Sequence, residues 1–359
     1  MVKYLKRFED HYSLSGNSYV DFSIGEDYIT PSVSVCDDEY EVHYNDFNEA
    51  DNWVNEAYNS EQKNLRFTAT ANGCKIALKR FWKKYTQAKP NGYPYGNDFA
   101  TYTGQWTEVA SAQTITLNYK KNDTEMGRYT CGTVINSNSG ETVEFYCPYT
   151  SNYFNFINTS KKEINIYSFC TSGGAYVVDG LVTSLLVNPT YWGSVYGKHG
   201  EHIAVNPYCF FGLFMNYPGY FGGECVIRGK LVLPTLTMSE GCYAEMFLKS
   251  PISDVYLPST NLADCCYRLM FYRCSNIKKI FLPATRLANY CYYNMFSGCR
   301  NLKIIKCLSL DEPSTGTTAS WLSAASTSPA PSGVFYQNPD AEWISASTIP
   351  SANWTFEKL

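Results

Sequence analysis

The chain has only four histidines in 359 residues, His11, His43, His199 and His202, so a histidine-based catalytic network has few members to draw on. It has no P-loop, no G-x-S-x-G elbow, no H-E-x-x-H and no C-x-x-C pair. "KHGEH" sets His199 and His202 three apart, but no third ligand completes a metal site. No cofactor is expected, and the missing convergent constellation argues against an enzyme. Charged residues are sparse at 17%, and the net charge is -4, so nothing calls for nucleic acid. No window of eighteen uncharged apolar residues exists, so no membrane span is expected. The opening "MVKYLKRFEDHYSL" lacks the apolar run of a secretory signal, and neither end carries a lipidation motif.

What is abundant is aromatic and sulfhydryl. Aromatics reach 16%, with 31 tyrosines, which suits strand-rich folds and contact surfaces. The fourteen cysteines read as mostly free, buried thiols, with disulfides the alternative. The length favours two to four units. Residues 1–60 are polar and acidic, a docking arm with too little apolar area to fold alone. Within it Val33 and Val35, then Val42 and Tyr44, alternate as a short hairpin.

From 61 to 190 the apolar period is two. Leu65 and Phe67, Ile76 and Leu78, Ile115, Leu117 and Tyr119, Val143, Phe145 and Cys147, and Ile164 and Ile166 mark short strands. Asn72-Gly73 is expected to close a hairpin through a type I′ turn. The pattern suggests an immunoglobulin-like β-sandwich. "LKRFWKKY" (78–85) mixes bases and aromatics. A solvated sheet edge carrying lysines explains it better than a nucleic-acid site.

Between 191 and 310 the chain repeats itself. Pro234, Pro258 and Pro283 stand 24 and 25 residues apart. Cys242, Cys266 and Cys291, and Met246, Met270 and Met295, keep the same spacing. "CFFGLF" (209–214) is a degenerate further copy, and 215–228 an insertion. A period of 20–29 residues with leucines at fixed offsets is the mark of a leucine-rich solenoid, in which each unit buries its apolar side on the next. Alternation turns Leu231, Leu233, Val255, Leu257, Ile280, Leu282, Ile305 and Cys307 inward. Val232, Tyr256, Phe281 and Lys306 then point outward as a column, a candidate partner-binding surface. Met238, Leu262 and Leu287 fill the next layer. The "CYxxMF" segment is expected to form about one helical turn, with Tyr243 and Phe247 on one side. Cys274 and Cys299 form a second column, completed by Ser250. Cys265 falls outside the repeat and reads as an incidental surface or packing residue.

The phrase "LPATRLANYCYYNMFSGCRNLKII" (282–305) resembles the BspA-like leucine-rich repeat family of gut Bacteroidetes and their phages. "WLSAASTSPAPSGVFYQNPDAEWISASTIPSANWTF" (321–356) is similar to that family's closing segment, a cap over 311–359. "GQWTEV" and "NSGETVEFY" resemble the small β-domain that often precedes the repeats. "LKRFEDH", "ITPSVSVC" and "EVHYN" are similar to an opening module of virion fibre and decoration proteins of Bacteroides phages, including crAss-like phages. The resemblance implies a mainly β chain with minor α and a non-enzymatic, adhesive role on the virion surface, after assembly in the host cytoplasm. It implies a head fibre or tail appendage whose arm docks on a capsid or tail protein, with Pro31, Val33, Val35, Val42, His43 and Tyr44 the docking residues. The partners implied are a host surface protein or glycan, and a homo-oligomer, trimer or dimer, is expected. The competing expectations are a bacterial cell-surface adhesin of the same family and an intracellular interaction scaffold.

Overall fold

The computed structural model describes residues 64–86, 102–109, 115–149, 154–192, 203–216, 225–228, 230–233, 237–257, 261–325, 329–343, 348–349 and 353–359. Among the described residues the chain is mainly β, with 35% strand and 5% helix. The expected arm and its hairpin lie outside the described residues.

Two antiparallel sheets come first. One contains β1 (Leu65–Ala69), β4 (Leu117–Lys121), β5 (Thr124–Tyr129), β7 (Thr142–Tyr146) and β10 (Tyr176–Asp179), with β11 (Ile227–Arg228) added in parallel, in the order β11-β10-β1-β7-β4-β5. The other contains β2 (Cys74–Tyr85), β3 (Tyr102–Glu108), β8 (Phe156–Asn158) and β9 (Glu163–Ser172), in the order β3-β2-β9-β8, with β6 (Ile135–Ser137) also on β2. The alternating residues drive their faces together. Phe67 of β1 and Phe145 of β7 lie 4.6 and 5.2 Å, ring to ring, from Phe169 of β9.

Two expectations fail here. Asn72-Gly73 does not close a hairpin. β1 pairs with β7 and β10, whereas β2 pairs with β9, so the turn carries the chain from one sheet to the other. The two-residue hairpin is Asn122-Asp123 between β4 and β5, where Lys121 faces Thr124 and both central residues have positive φ, 49° and 60°. Asparagine and aspartate tolerate that conformation, which matches the twist of the strands. Nor is "LKRFWKKY" a sheet edge. β2 lies between β3 and β9, and three of the four bases in this run are engaged by neighbours, Lys79 by Glu108 at 3.0 Å, Arg80 by Asn165 at 2.9 Å, and Lys83 over the Trp106 ring, while Lys84 is exposed.

The repeats stack. β12 (Lys230–Val232) pairs in parallel with β13 (Asp254–Tyr256). β14 (Lys279–Leu282), β15 (Ile304–Cys307), β16 (Gly333–Gln337) and β17 (Trp354–Lys358) form a parallel four-stranded sheet. The eight residues expected inward, from Leu231 to Cys307, are all buried. Met238, Leu262 and Leu287 pack, partly buried, against the same core.

The "CYxxMF" segments are not helical. Every fourth residue is left-handed: Gly241, Glu245 and Lys249 in one rung, Cys265, Leu269 and Arg273 in the next, then Tyr290, Asn294 and Gly298. Backbone donors alternate between two partners. Tyr243 N–H donates to Cys266 O of the next rung at 3.0 Å, while Met246 N–H donates three residues back to Tyr243 O at 3.3 Å. The result is a ribbon of tandem turns that pairs its amides both within and between rungs, meeting the demand that buried amides be bonded. The repeat of four keeps Tyr243 and Phe247 on one side, as a helix would. The left-handed residues cost roughly 1–2 kcal/mol each where they are not glycine, and the ladder offsets this.

Ring columns run through the stack. Phe210, Tyr243, Tyr267, Tyr292 and Trp321 lie face to face at 5.6–6.1 Å, and Phe214, Phe247, Phe271 and Phe296 at 5.5–5.9 Å. "CFFGLF" is therefore a true rung, with Phe210 N–H on Cys242 O. Trp321, beyond the last full repeat, takes the tyrosine place in a final rung.

The stack and the paired sheets share one core. The outer face of β9 adds a second cluster, in which Ile164, Ile166 and Cys170 meet Tyr208, Phe211, Met215, Leu248 and Leu269 of the turn ribbons. This explains why β9 is buried along nearly its whole length rather than at alternate positions. Asn155, fully buried, clasps the joint. Its amide donates to Tyr208 O at 2.7 Å and its carbonyl accepts from Tyr167 N–H at 2.9 Å.

Candidate binding face

Parallel register turns sequence alternation into two columns on the face away from the core. Phe281, Lys306, Tyr336 and Glu357 are aligned across β14 to β17, and Tyr256 holds the equivalent place on β13. Beside them run Lys279, Ile304, Val334 and Thr355, with Asp254 in the equivalent place. The register joins Val232 to Tyr256. The side chain of Val232 lies outside what is described.

The expected column is thus brought together, with one correction. Tyr256 and Phe281 are half-buried, but Lys306 is 2% exposed rather than solvent-facing, its ammonium 5.5 Å from the centre of the Tyr336 ring. Lysine can bury its stem on an aromatic face and gain a cation–π contact there. Tyr336 and Glu357 extend the column beyond the expected four, and the alternation in "GVFYQ" and "WTFEK" carries the signal for them. Asp254 and Lys279 were legible too, two positions before Tyr256 and Phe281.

The face is not uniform. The parallel ladder stops at β13 and restarts at β14, and over that break opens a pocket of about 40 Å3. Asp254, Tyr256, Lys279, Phe281, Ile304 and Lys306 line it. Pro31, Val33, Val35, Val42, His43 and Tyr44, the expected docking residues, lie outside the described residues, as do His199 and His202.

The thirteen described cysteines are all free, and all but half-buried Cys131 are buried. Burial pushes the thiols of Cys242, Cys291, Cys299 and Cys307 up to about 12, and raises those of Cys266 and Cys274 well above the ordinary thiol range. Protonated thiols are poor nucleophiles and poor metal ligands. Among the described residues no cluster of three histidines, cysteines or carboxylates could hold a metal ion. Cys274 and Cys299 instead donate to Phe247 O and Phe271 O, at 2.9 and 2.8 Å, tying each rung to the one before. Cys265, taken from sequence as incidental, is buried and left-handed, so it belongs to the ribbon.

One buried ion pair lies elsewhere. Glu245 and Arg268, on adjacent rungs, approach to 3.5 Å, and the Arg268 guanidinium lies over Tyr293. Burial raises the Glu245 carboxyl, while Arg268 and then Lys83 pull it down. No helix among the described residues is long and apolar enough to cross a membrane. Comparisons with protein-family models, with curated proteins and with solved structures find no match.

Proposed function

We propose that this chain is a non-enzymatic virion structural protein, a head fibre or tail appendage of a Bacteroides-type phage. On this reading residues 1–60 dock on a capsid or tail protein, residues 61–190 form an immunoglobulin-like sandwich, and the rungs form a short leucine-rich-repeat solenoid that adheres to a host surface protein or glycan. It works as a homo-oligomer, a trimer or dimer, on the virion surface.

The observation that carries the adhesive part is the outward face. Half-buried Phe281 is in register with Lys306 and Tyr336 on a parallel sheet, and half-buried Tyr256 holds the equivalent place on β13. Aromatic and cationic groups held at fixed spacing give contact area at low entropic cost. The resemblance of 282–305 to BspA-like repeats, and of the opening segments to fibre modules, supports the virion part.

Mass spectrometry of purified virions tests placement. The polypeptide is expected in stoichiometric amount, and its absence there would end the virion reading. Host adsorption by Tyr256→Ala and Phe281→Ala variants tests the face. Adsorption is expected to fall, and unchanged adsorption would remove the face from the contact.

A further inference from the structure

The stack ends on a strand with one open side. β17 pairs with β16, and among the described residues no strand pairs with its other edge. Gly333 N–H donates to Asn353 O at 3.0 Å, and Leu359 N–H donates to Gln337 O at 2.8 Å, so the odd-numbered residues of this segment turn their backbone groups to β16. Trp354, Phe356 and Lys358 therefore present theirs along the open edge. Phe356 is open in a second way. It continues the inward column of Ile280, Ile305 and Phe335, which are buried, each covered by the next rung. Its ring lies 5.6 Å from that of Phe335, yet the residue is 38% exposed. Open edges are commonly blunted by proline or by charge. β17 holds no proline, and Lys358 turns its ammonium back to Pro339 O at 3.3 Å.

We propose that the open edge of β17 pairs with the same edge of a second copy of this chain, antiparallel, across a twofold axis at Phe356. The interface rests on the homo-oligomer of the functional reading and makes that oligomer a dimer. Inward residues must face inward residues across the axis, so the axis passes through a residue rather than between two. At Phe356 it lets Trp354, Phe356 and Lys358 exchange backbone bonds with Lys358, Phe356 and Trp354 of the copy, using every amide that the strand presents at its edge. An axis at Glu357 would set that carboxylate against its own counterpart and leave Trp354 unmatched. An axis at Thr355 would carry Lys358 past the end of the copy's strand. With the axis at Phe356, Glu357 faces Thr355 of the copy. The two Phe356 residues stand side by side on the core side, their Cα atoms about 5.5 Å apart. Each ring then covers the flank that no rung of its own chain covers, and the inward column runs on into the second copy.

Sedimentation velocity of the full chain over a range of concentrations tests this, and a monomer–dimer equilibrium is expected. Phe356→Lys sets two ammonium groups together at the axis and should weaken the dimer at least tenfold. Lys358→Pro removes an edge N–H but no bond to β16, a change that edge strands tolerate, and should weaken it several-fold with an unchanged circular dichroism spectrum. Mild oxidation of Phe356→Cys should link two chains, because that Cα separation suits a disulfide, and peptide mapping should find position 356 joined to position 356. If Phe356→Lys does not fold, Lys358→Pro and the cross-link decide. A monomer at every concentration would overturn both this interface and the oligomer. An oligomer that Lys358→Pro leaves unweakened, or in which no bond joins the two 356 positions, would stand on another surface and overturn this interface alone. A trimer would do the same, because a twofold edge pairing closes at two chains.

Discussion

The ring of Phe169 lies 5.8 Å from that of Phe214, with 14° between their planes. Phe169 belongs to β9 of the paired sheets, and Phe214 heads the ring column that continues through Phe247, Phe271 and Phe296. Two regions of different sequence period therefore share a single stack of rings. The joint is hydrogen-bonded as well, by Phe169 N–H to Leu213 O at 2.9 Å and Ser168 Oγ to Gly212 O at 2.8 Å, and a fold joined in this way should melt as one unit.

Phe214→Ala should lower stability by about 3–5 kcal/mol, the usual cost of emptying a buried aromatic site. Urea transitions followed by tryptophan fluorescence and by circular dichroism should coincide in the native chain. They should separate in the variant as the rungs loosen from the sheets. Transitions that separate already in the native chain, or a loss below about 1 kcal/mol in the variant, would show that the joint is not cooperative.

The thiols set an alkaline limit. Their folded pKa values lie above the unfolded value near 8.5. Their contribution is therefore complete below that value and is lost as pH rises from about 9 toward about 12. Each buried thiol should withdraw on the order of 1 kcal/mol at pH 10. Chemical denaturation at pH 7.5 and pH 10 measures this. At pH 8 a disulfide reagent should modify the thirteen described thiols slowly, beginning among them at half-buried Cys131, whose thiol burial pushes up to about 11.

Left-handed positions give a sharper test of the turn ribbon. At Asn294, with φ of 52°, glycine should be neutral or mildly stabilising, whereas valine should cost roughly 1–2 kcal/mol. A helical turn would reverse that order. Gly333→Ala should be more damaging than either, because the added carbon would meet Lys303 O at 1.9 Å, where β16 approaches the strand before it. Thermal melting of the three variants ranks them.

Arg268→Met should cost about 3–5 kcal/mol by leaving Glu245 buried without its guanidinium partner. Adding Glu245→Gln should recover most of that loss. A double-mutant cycle gives the coupling, and additive losses would mean that the two groups act independently.

The sequence by itself determined the rungs and their inside. Apolar residues at a fixed offset in every repeat, alternating with lysines, Asp254 and aromatics, bury best on one side of the stack, and Leu231 to Cys307 do so. The same alternation named Tyr256 and Phe281. What lay beyond local pattern was decided by tertiary packing. A period of four suits a helix or a ribbon of turns, and only the amides of the next rung, bonding to Tyr243 and its counterparts, select the ribbon. Asn72-Gly73 favours a tight turn, but the burial of β1 and β2 in facing sheets decides that the turn joins layers. Ile164 and Ile166 read as one face of a strand, yet the turn ribbons cover that face while Phe169 fills the other. Lys306 reads as exposed, and its depth beside Tyr336 follows from the next strand's register. Propensity acts over a few residues, whereas which surface covers a face depends on chain segments far apart in sequence, and the free energy of that burial outweighs the local preference.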